Sequence, residues 1–187
     1  MILKKSFYAR PTLEVARKLL GLVLVRKIRR KEIRAVITEV EAYVGEDDLA
    51  SHASKGRTKR TELMYGEAGH AYVYMIYGMY HCLNIVTEKK DFPAAVLIRT
   101  VKIEGMEYKK TNGPGKLCKF LKIDRRLNGH DMTKGEKLWI ETRRSRATGE
   151  IPIKNIVSTT RIGVDYAKHC KDYLWRFSID PGIIGKK

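Results

Sequence analysis

The 187 residues predict a single α+β domain. Segments with strand-like alternation outnumber helical ones, and the two kinds follow one another in irregular order. No composition break, internal repeat, low-complexity tract or linker divides the chain, which is long enough to bury one sizeable core. With 43% apolar residues and no apolar run near the roughly 18 residues needed to span a bilayer, the composition is that of a soluble globular protein.

Pro11 and Thr12 open the first helix. Leu13, Ala16, Leu19 and Leu20 recur along it at helical spacing, and Gly21 is its stop. Leu22 to Arg30 reads as a strand, followed by a basic turn around Arg30 and Lys31. A second strand then alternates Ile33, Ala35 and Ile37 with more polar positions, completing a hairpin. Continuing that alternation places Glu39 and Glu41 on the same face as the three apolar residues. A carboxylate carried toward an apolar side loses water and becomes a stronger base near neutrality. Strand ends also carry ordinary exposed acids, so the spacing alone leaves Glu41 open to either role. Residues 44 to 69 are rich in Gly, Asp, Ser, Thr, Lys and Arg and read as a long surface loop. It holds His52 and the cluster Lys55, Arg57, Lys59 and Arg60, which suits phosphates as well as plain solvation.

Ala71 to Val86 contains four of the ten tyrosines and predicts two strands about Gly78. β-Branched and aromatic residues there suit a core hairpin, whereas phenol rings beside a sharp turn suit stacking on bases or wedging between them. Pro93 to Ile103 gives another strand, with Ala95, Leu97, Arg99 and Val101 on one face. A guanidinium among apolar neighbours requires a carboxylate, a carbonyl or a ligand as partner. Asn112 to Lys116 leads into the helical pattern Leu117, Phe120, Leu121, whose free N-terminal amides suit an anion but lack the Walker spacing. Asn128-Gly129 marks a tight turn, Leu138 to Thr142 a short strand, Arg143 to Glu150 a second basic loop, and Trp175 to Ile179 a closing strand.

Charge is the strongest compositional signal: 38 Lys and Arg face 21 Asp and Glu, a net +17. An excess of this size speeds encounter with a phosphate backbone and adds sequence-independent affinity by releasing counterions. Adaptation to heat raises Lys and Glu together, and here the acids lag. Cys82, Cys118 and Cys170 are odd in number and contain no Cys-x-x-Cys pair, which argues for small buried hydrophobes rather than disulfides. The five histidines show no ligand spacing, so no metal site is expected. Met1 to Ser6 lacks the features of a signal peptide, which points to an intracellular protein.

Three separated segments carry a resemblance. They are Ile37-Thr38-Glu39-Val40-Glu41-Ala42-Tyr43 followed by His52, Tyr72 to Tyr80 followed by Asn84, and Ala95-Val96-Leu97-Ile98-Arg99. Weaker matches follow at Asn112 to Cys118 and at Arg161-Ile162-Gly163-Val164. In this order, over nearly the whole chain, they resemble the 3-methyladenine DNA glycosylases of the alkyladenine glycosylase family. The resemblance implies one domain over residues 1–187, with a curved, mainly antiparallel, open-barrel-like sheet, flanking helices and a projecting β-hairpin. It also implies a monofunctional hydrolase that flips alkylated or deaminated purines out of duplex DNA and cuts the N-glycosidic bond, leaving an abasic site.

By similarity, Glu41 is the general base for the attacking water, and Arg99 and the main-chain carbonyl of Ile162 help to hold that water. Tyr77, with Gly78 and Met79 at the hairpin tip, replaces the extruded base in the stack. Tyr43 and Tyr74 sandwich that base and His52 meets its edge, while Asn84 crowds the exocyclic amine of normal guanine. Lys55, Arg57, Lys59, Arg60 and Lys116 serve the DNA backbone. No metal or organic cofactor is implied. The implied partner is double-stranded DNA containing damaged purines, met by a monomer on chromosomal DNA inside the cell. Two other readings stay open: a binding module without chemistry, disfavoured by an acid at a phosphate-facing surface, and a lyase attacking through a lysine.

Overall fold

In the computed structural model, which describes residues 1–143 and 155–184, three short helices flank a curled antiparallel sheet that forms a half-barrel. The helices are α1 (Lys5–Tyr8), α2 (Thr12–Leu19) and α3 (Pro114–Phe120). The strands are β1 (Val23–Ile28), β2 (Lys31–Val44), β3 (Ala71–Ile76), β4 (Tyr80–Val86), β5 (Ala94–Lys102), β6 (Leu138–Glu141), β7 (Val157–Thr159) and β8 (Arg176–Ser178). They run in the order β3-β4-β5-β2-β1-β6, and β8 joins β2 to β7. The helix ending before Gly21, the β1–β2 hairpin, the strands about Gly78 and the closing strand all stand where the residue patterns place them. Neither α1 nor β7 is marked in the residue pattern, both being too short to show a period. The basic loop expected from Arg143 to Glu150 lies, beyond Arg143, outside the described residues.

The middle of β2 departs from simple alternation. Ile37 pairs with Val101 and Glu39 with Thr100, which leaves Thr38 as an extra residue on β2; Val40 then pairs with Ile98, which leaves Arg99 as an extra residue on β5. A one-residue insertion reverses which face the following side chains occupy. Ala35 and Ile37 therefore lie in the main core together with Val40 and Ala42, while Glu41 and Tyr43 turn to the opposite side and line a cavity. This corrects the expectation that Glu39 and Glu41 share the face of Ile33, Ala35 and Ile37. It also corrects the grouping on β5: Ala95, Leu97 and Arg99 face the cavity, but Val101 is in the core. A small polar knot holds the double bulge. Thr38 Oγ1 lies 2.6 Å from Thr100 Oγ1 and 3.1 Å from the Tyr108 hydroxyl, so the buried hydroxyls are satisfied.

On the core side, α2 packs Val15, Ala16 and Leu19 under β2 and β5, and α3 with the residue that ends it adds Leu117, Cys118 and Leu121 beneath β4. Each fully buried Leu or Ile of this layer contributes about 1.5–3 kcal/mol over an exposed one. Cys82, Cys118 and Cys170 are free and buried, as the sequence implies.

Residues 44 to 69 are not the plain surface loop expected of them. Two short 3-10 turns, His52–Lys55 and Glu62–Tyr65, fold the segment back. Ala53, Met64 and Tyr65 form a second apolar cluster with Tyr72, Val86 and Ala95. Apolar residues scattered among charges drive this burial, while Lys55, Arg57, Lys59 and Arg60 remain on the surface.

Candidate active site

Between the cavity face of the sheet and the folded-back segment lies a pocket of about 540 Å³, lined by Glu41, Tyr43, His52, Tyr74, Asn84, Arg99 and Ile162, among others. Each of these seven comes from the set that the sequence singles out. They arrive from β2, the 3-10 turn after it, β3, β4, β5 and the segment before the last strand.

Glu41 sits at the floor and is completely buried. Its Oε1 accepts a hydrogen bond from the Ile162 backbone N–H at 2.8 Å. Its Oε2 accepts from the Tyr43 hydroxyl at 2.9 Å and from Arg99 Nη1 at 3.2 Å. The Ile162 contact made by the glutamate is with the backbone N–H; the carbonyl of the same residue is the group that the resemblance assigns to the water. Arg99 also donates from Nε to Glu39 Oε1 at 3.0 Å, and Arg176 Nη1 reaches the same oxygen at 3.2 Å. Burial draws the Arg99 guanidinium down, but the carboxylates of Glu41 and Glu39 outweigh it and raise it above its ordinary value. The Tyr43 phenol is pushed well up, first by burial and then by the Glu41 charge beside it. It is held as a donor toward Glu41.

The aromatic wall is made of Tyr72, Tyr74 and His52. His52 Nδ1 lies 3.0 Å from the Tyr72 hydroxyl, and its ring meets Tyr74 edge to face at 4.5 Å. Burial, followed by the positive charges of Arg60 and Lys55, pulls the His52 imidazole down to about 4, so it is neutral at physiological pH. Burial also raises the Tyr74 phenol. Asn84 Nδ2 donates to the Tyr72 carbonyl at 3.2 Å, which fixes the orientation of its amide.

Beside the pocket, β3 and β4 project as a hairpin. Ile76 and Tyr80 are the last paired residues, and the Met79 N–H donates to the Ile76 carbonyl at 3.2 Å. Tyr77 and Gly78 both have positive φ, 51° and 70°, in the three-residue loop that joins the two strands. At 86% exposure Tyr77 is the most exposed large aromatic among the described residues, and Met79 follows it outward at 67%. Just past the turn, Tyr80 lies against α3, so close that a Cβ on Gly115 would stand 2.8 Å from its ring.

The basic residues divide. Arg60 lines the pocket and lies over the Tyr74 ring at 5.5 Å. Arg57 is engaged by Glu62 at 2.8 Å and Asp91 at 3.1 Å. Lys55 and Lys59 are exposed outside the pocket, as is Lys116, whose Nζ donates to Asn112 Oδ1 at 2.9 Å. Sequence reasoning overlooked Tyr72, Asp48, Arg176 and the side chain of Arg161. The Arg161–Asp48 pair spans 113 residues, and no local pattern announces such a contact. Among the described residues no cluster of three His, Cys, Asp or Glu is arranged to hold a metal ion, and no helix is long and apolar enough to cross a membrane.

A pocket with a carboxylate floor and aromatic walls, on a strongly basic chain, fits a hydrolase acting on nucleic acid. The comparisons agree. A family model described as methylpurine-DNA glycosylase matches residues 6–182. A protein of Methanocella arvoryzae with the provisional name 3-methyladenine DNA glycosylase is 48% identical, over 94% of this chain and 91% of its own. Relatives bearing the same provisional name are 45% identical over the full length of both chains in Alkaliphilus oremlandii, and 46% identical over 95% of this chain and 93% of its own in Ehrlichia chaffeensis. The chain belongs to the methylpurine-DNA glycosylase family and is a DNA glycosylase.

Proposed function

We propose that the protein removes alkylated and deaminated purines from duplex DNA by flipping them into the pocket and hydrolysing the N-glycosidic bond with a water activated by Glu41. The observation that carries this reading is the Glu41 carboxylate itself, wholly buried and lining a pocket walled by aromatic rings. An ionised carboxylate offers about four lone-pair directions. Three are taken by Ile162, Tyr43 and Arg99, which leaves one acceptor direction for the water in this reading. Arg99 and the Ile162 carbonyl hold that water, and general-base assistance of this kind supplies about 10²–10⁴-fold in rate.

A purine inside a duplex is out of reach, so it leaves the stack at a cost of a few kcal/mol that damage or mispairing lowers. Tyr77, carried by Gly78 and flanked by Met79, fills the gap. Tyr43 and Tyr74 enclose the base, neutral His52 meets its edge, and Asn84 rejects the exocyclic amine of guanine. Electron-rich rings favour a purine made cationic by alkylation, which is also the better leaving group. Lys55, Lys59, Arg60 and Lys116 follow the backbone, with a smaller part for the already paired Arg57. The protein acts as a monomer on DNA in the cell interior, without a cofactor.

The test is excision on duplexes that each carry one modified purine, read by alkaline cleavage at the abasic site. The reading requires cleavage at 3-methyladenine or 7-methylguanine and none in the undamaged duplex. Inertness on every lesion contradicts it.

A further inference from the structure

We propose that Arg161, held by Asp48, is a positioning residue that orients the Glu41 carboxylate and so sets the rate of the chemical step rather than the affinity for DNA. The inference rests on Glu41 being the base, as read above. Both side chains are completely buried. Arg161 Nη1 lies 2.6 Å from Asp48 Oδ2, and Nη2 lies 2.8 Å from Oδ1. The same guanidinium donates to the Ala42 carbonyl at 3.0 Å and the Cys170 carbonyl at 3.1 Å. Its face covers the Tyr43 ring at 4.9 Å and the Trp175 ring at 5.1 Å. Asp48 in turn accepts from the Val44 and Ala50 backbone N–H groups at 3.3 and 3.1 Å.

Those contacts converge on the two donors of Glu41 that follow from backbone placement. Ile162, whose N–H meets Oε1 at 2.8 Å, is the residue after Arg161. Ala42, whose carbonyl Arg161 grips, stands between Glu41 and Tyr43, and Tyr43 donates to Oε2 at 2.9 Å. One guanidinium therefore clamps the strand that carries the base to the segment that caps it. The far end of the pair, Asp48, holds the backbone of Val44 and Ala50, in the segment that leads from β2 to the turn at His52.

Stability alone is a weak reason for such a pair. Both charges lose water, and apolar residues of equal volume are often as stable or more so. What apolar residues cannot supply is direction. A planar fork of fixed donors sets two carbonyls and two carboxylate oxygens at once, whereas a lysine ammonium supplies the charge without the fork. Misplacing a reacting group by about 1 Å costs about 10²-fold in rate.

The test uses the full chain as wild type, Arg161→Lys, Asp48→Asn and Glu41→Gln. Three quantities are measured: the single-turnover excision rate constant with enzyme in excess, affinity for undamaged duplex, and thermal unfolding. The expected result is a rate constant lowered about 10–100-fold in Arg161→Lys and Asp48→Asn, with affinity for undamaged duplex within about twofold of wild type and unfolding still cooperative. A purely structural role would lower the amount of folded enzyme and leave the rate constant of the folded fraction unchanged. Wild-type rate constants in folded variants overturn the proposal. So does loss of cooperative folding in both variants, which would assign the pair to stability alone. If wild type excises nothing, the glycosylase reading fails first; if wild type is active and Arg161→Lys equals it, only the positioning role fails.

Discussion

Arg99 donates to Glu41 across 3.2 Å although the two are not partners in the sheet: Glu41 pairs with Leu97, and Arg99 stands as the extra residue of a bulge. The bulge re-aims the guanidinium so that Nε meets Glu39 while Nη1 meets Glu41. A lysine has one nitrogen and reaches only one of these oxygens well. Arg99→Lys is therefore expected to slow single-turnover excision by about 10–100-fold, and Arg99→Ala to cost about 3 kcal/mol in urea unfolding by leaving Glu41 buried without its cation. An unchanged rate in Arg99→Lys would remove Arg99 from the catalytic set.

Tyr77 occupies the left-handed region at φ 51°, where a bulky residue costs about 1 kcal/mol or more. Asparagine tolerates that backbone better. Tyr77→Asn is expected to unfold at the same or higher denaturant concentration, by up to about 1 kcal/mol, while excision falls at least about tenfold. Tyr77→Ala should weaken binding to lesion-bearing duplex more than binding to undamaged duplex. Equal losses on the two would argue against a wedge.

His52 gives a pH dependence of known sign. Its native imidazole is held down to about 4 by burial and by Arg60 and Lys55, against an ordinary value of 6.5. As the pH falls from 6.5 toward 4, the unfolded chain takes up a proton that native His52 refuses, so stability drops across that window. His52→Gln should flatten this part of the curve in urea unfolding at pH 7 and pH 4.5. Direct NMR titration should find the imidazole midpoint near 4; a midpoint near 6.5 would contradict the buried, cation-flanked setting.

Salt dependence separates the basic residues. A cation that neutralises one phosphate contributes about 0.9 to the slope of log K against log salt. Lys59→Ala and Lys116→Ala are each expected to lower the slope by about that amount. Arg57 is already paired with Glu62 and Asp91, so Arg57→Ala should change it by clearly less. Binding titrations from low to moderate salt measure all three, and equal losses would show that the Arg57 pairs open on DNA.

Much of this architecture is legible in the residues. Alternation and turn chemistry place the hairpin at Arg30, the strands about Gly78 and the helix before Gly21, and the tyrosine-rich segment marks the pocket wall. The face on which Glu41 lies is not legible. Two bulges one residue apart reverse the parity of β2 and β5, and the polar contacts that accompany them join Thr38, Thr100 and Tyr108, which no period records. The Arg161–Asp48 pair escapes for the same reason, joining residues 113 positions apart. Residues 44–69 mislead because their charges are conspicuous, while the few apolar side chains that fold them inward are scattered.

The most direct measurement is single-turnover excision of an alkylated purine from duplex DNA by Glu41→Gln. Glutamine keeps the volume of the side chain but cannot take a proton from water. The account predicts a rate constant at least about 10²-fold below wild type, with affinity for undamaged duplex unchanged. A rate constant within about twofold of wild type would contradict it and take Glu41 out of the chemistry.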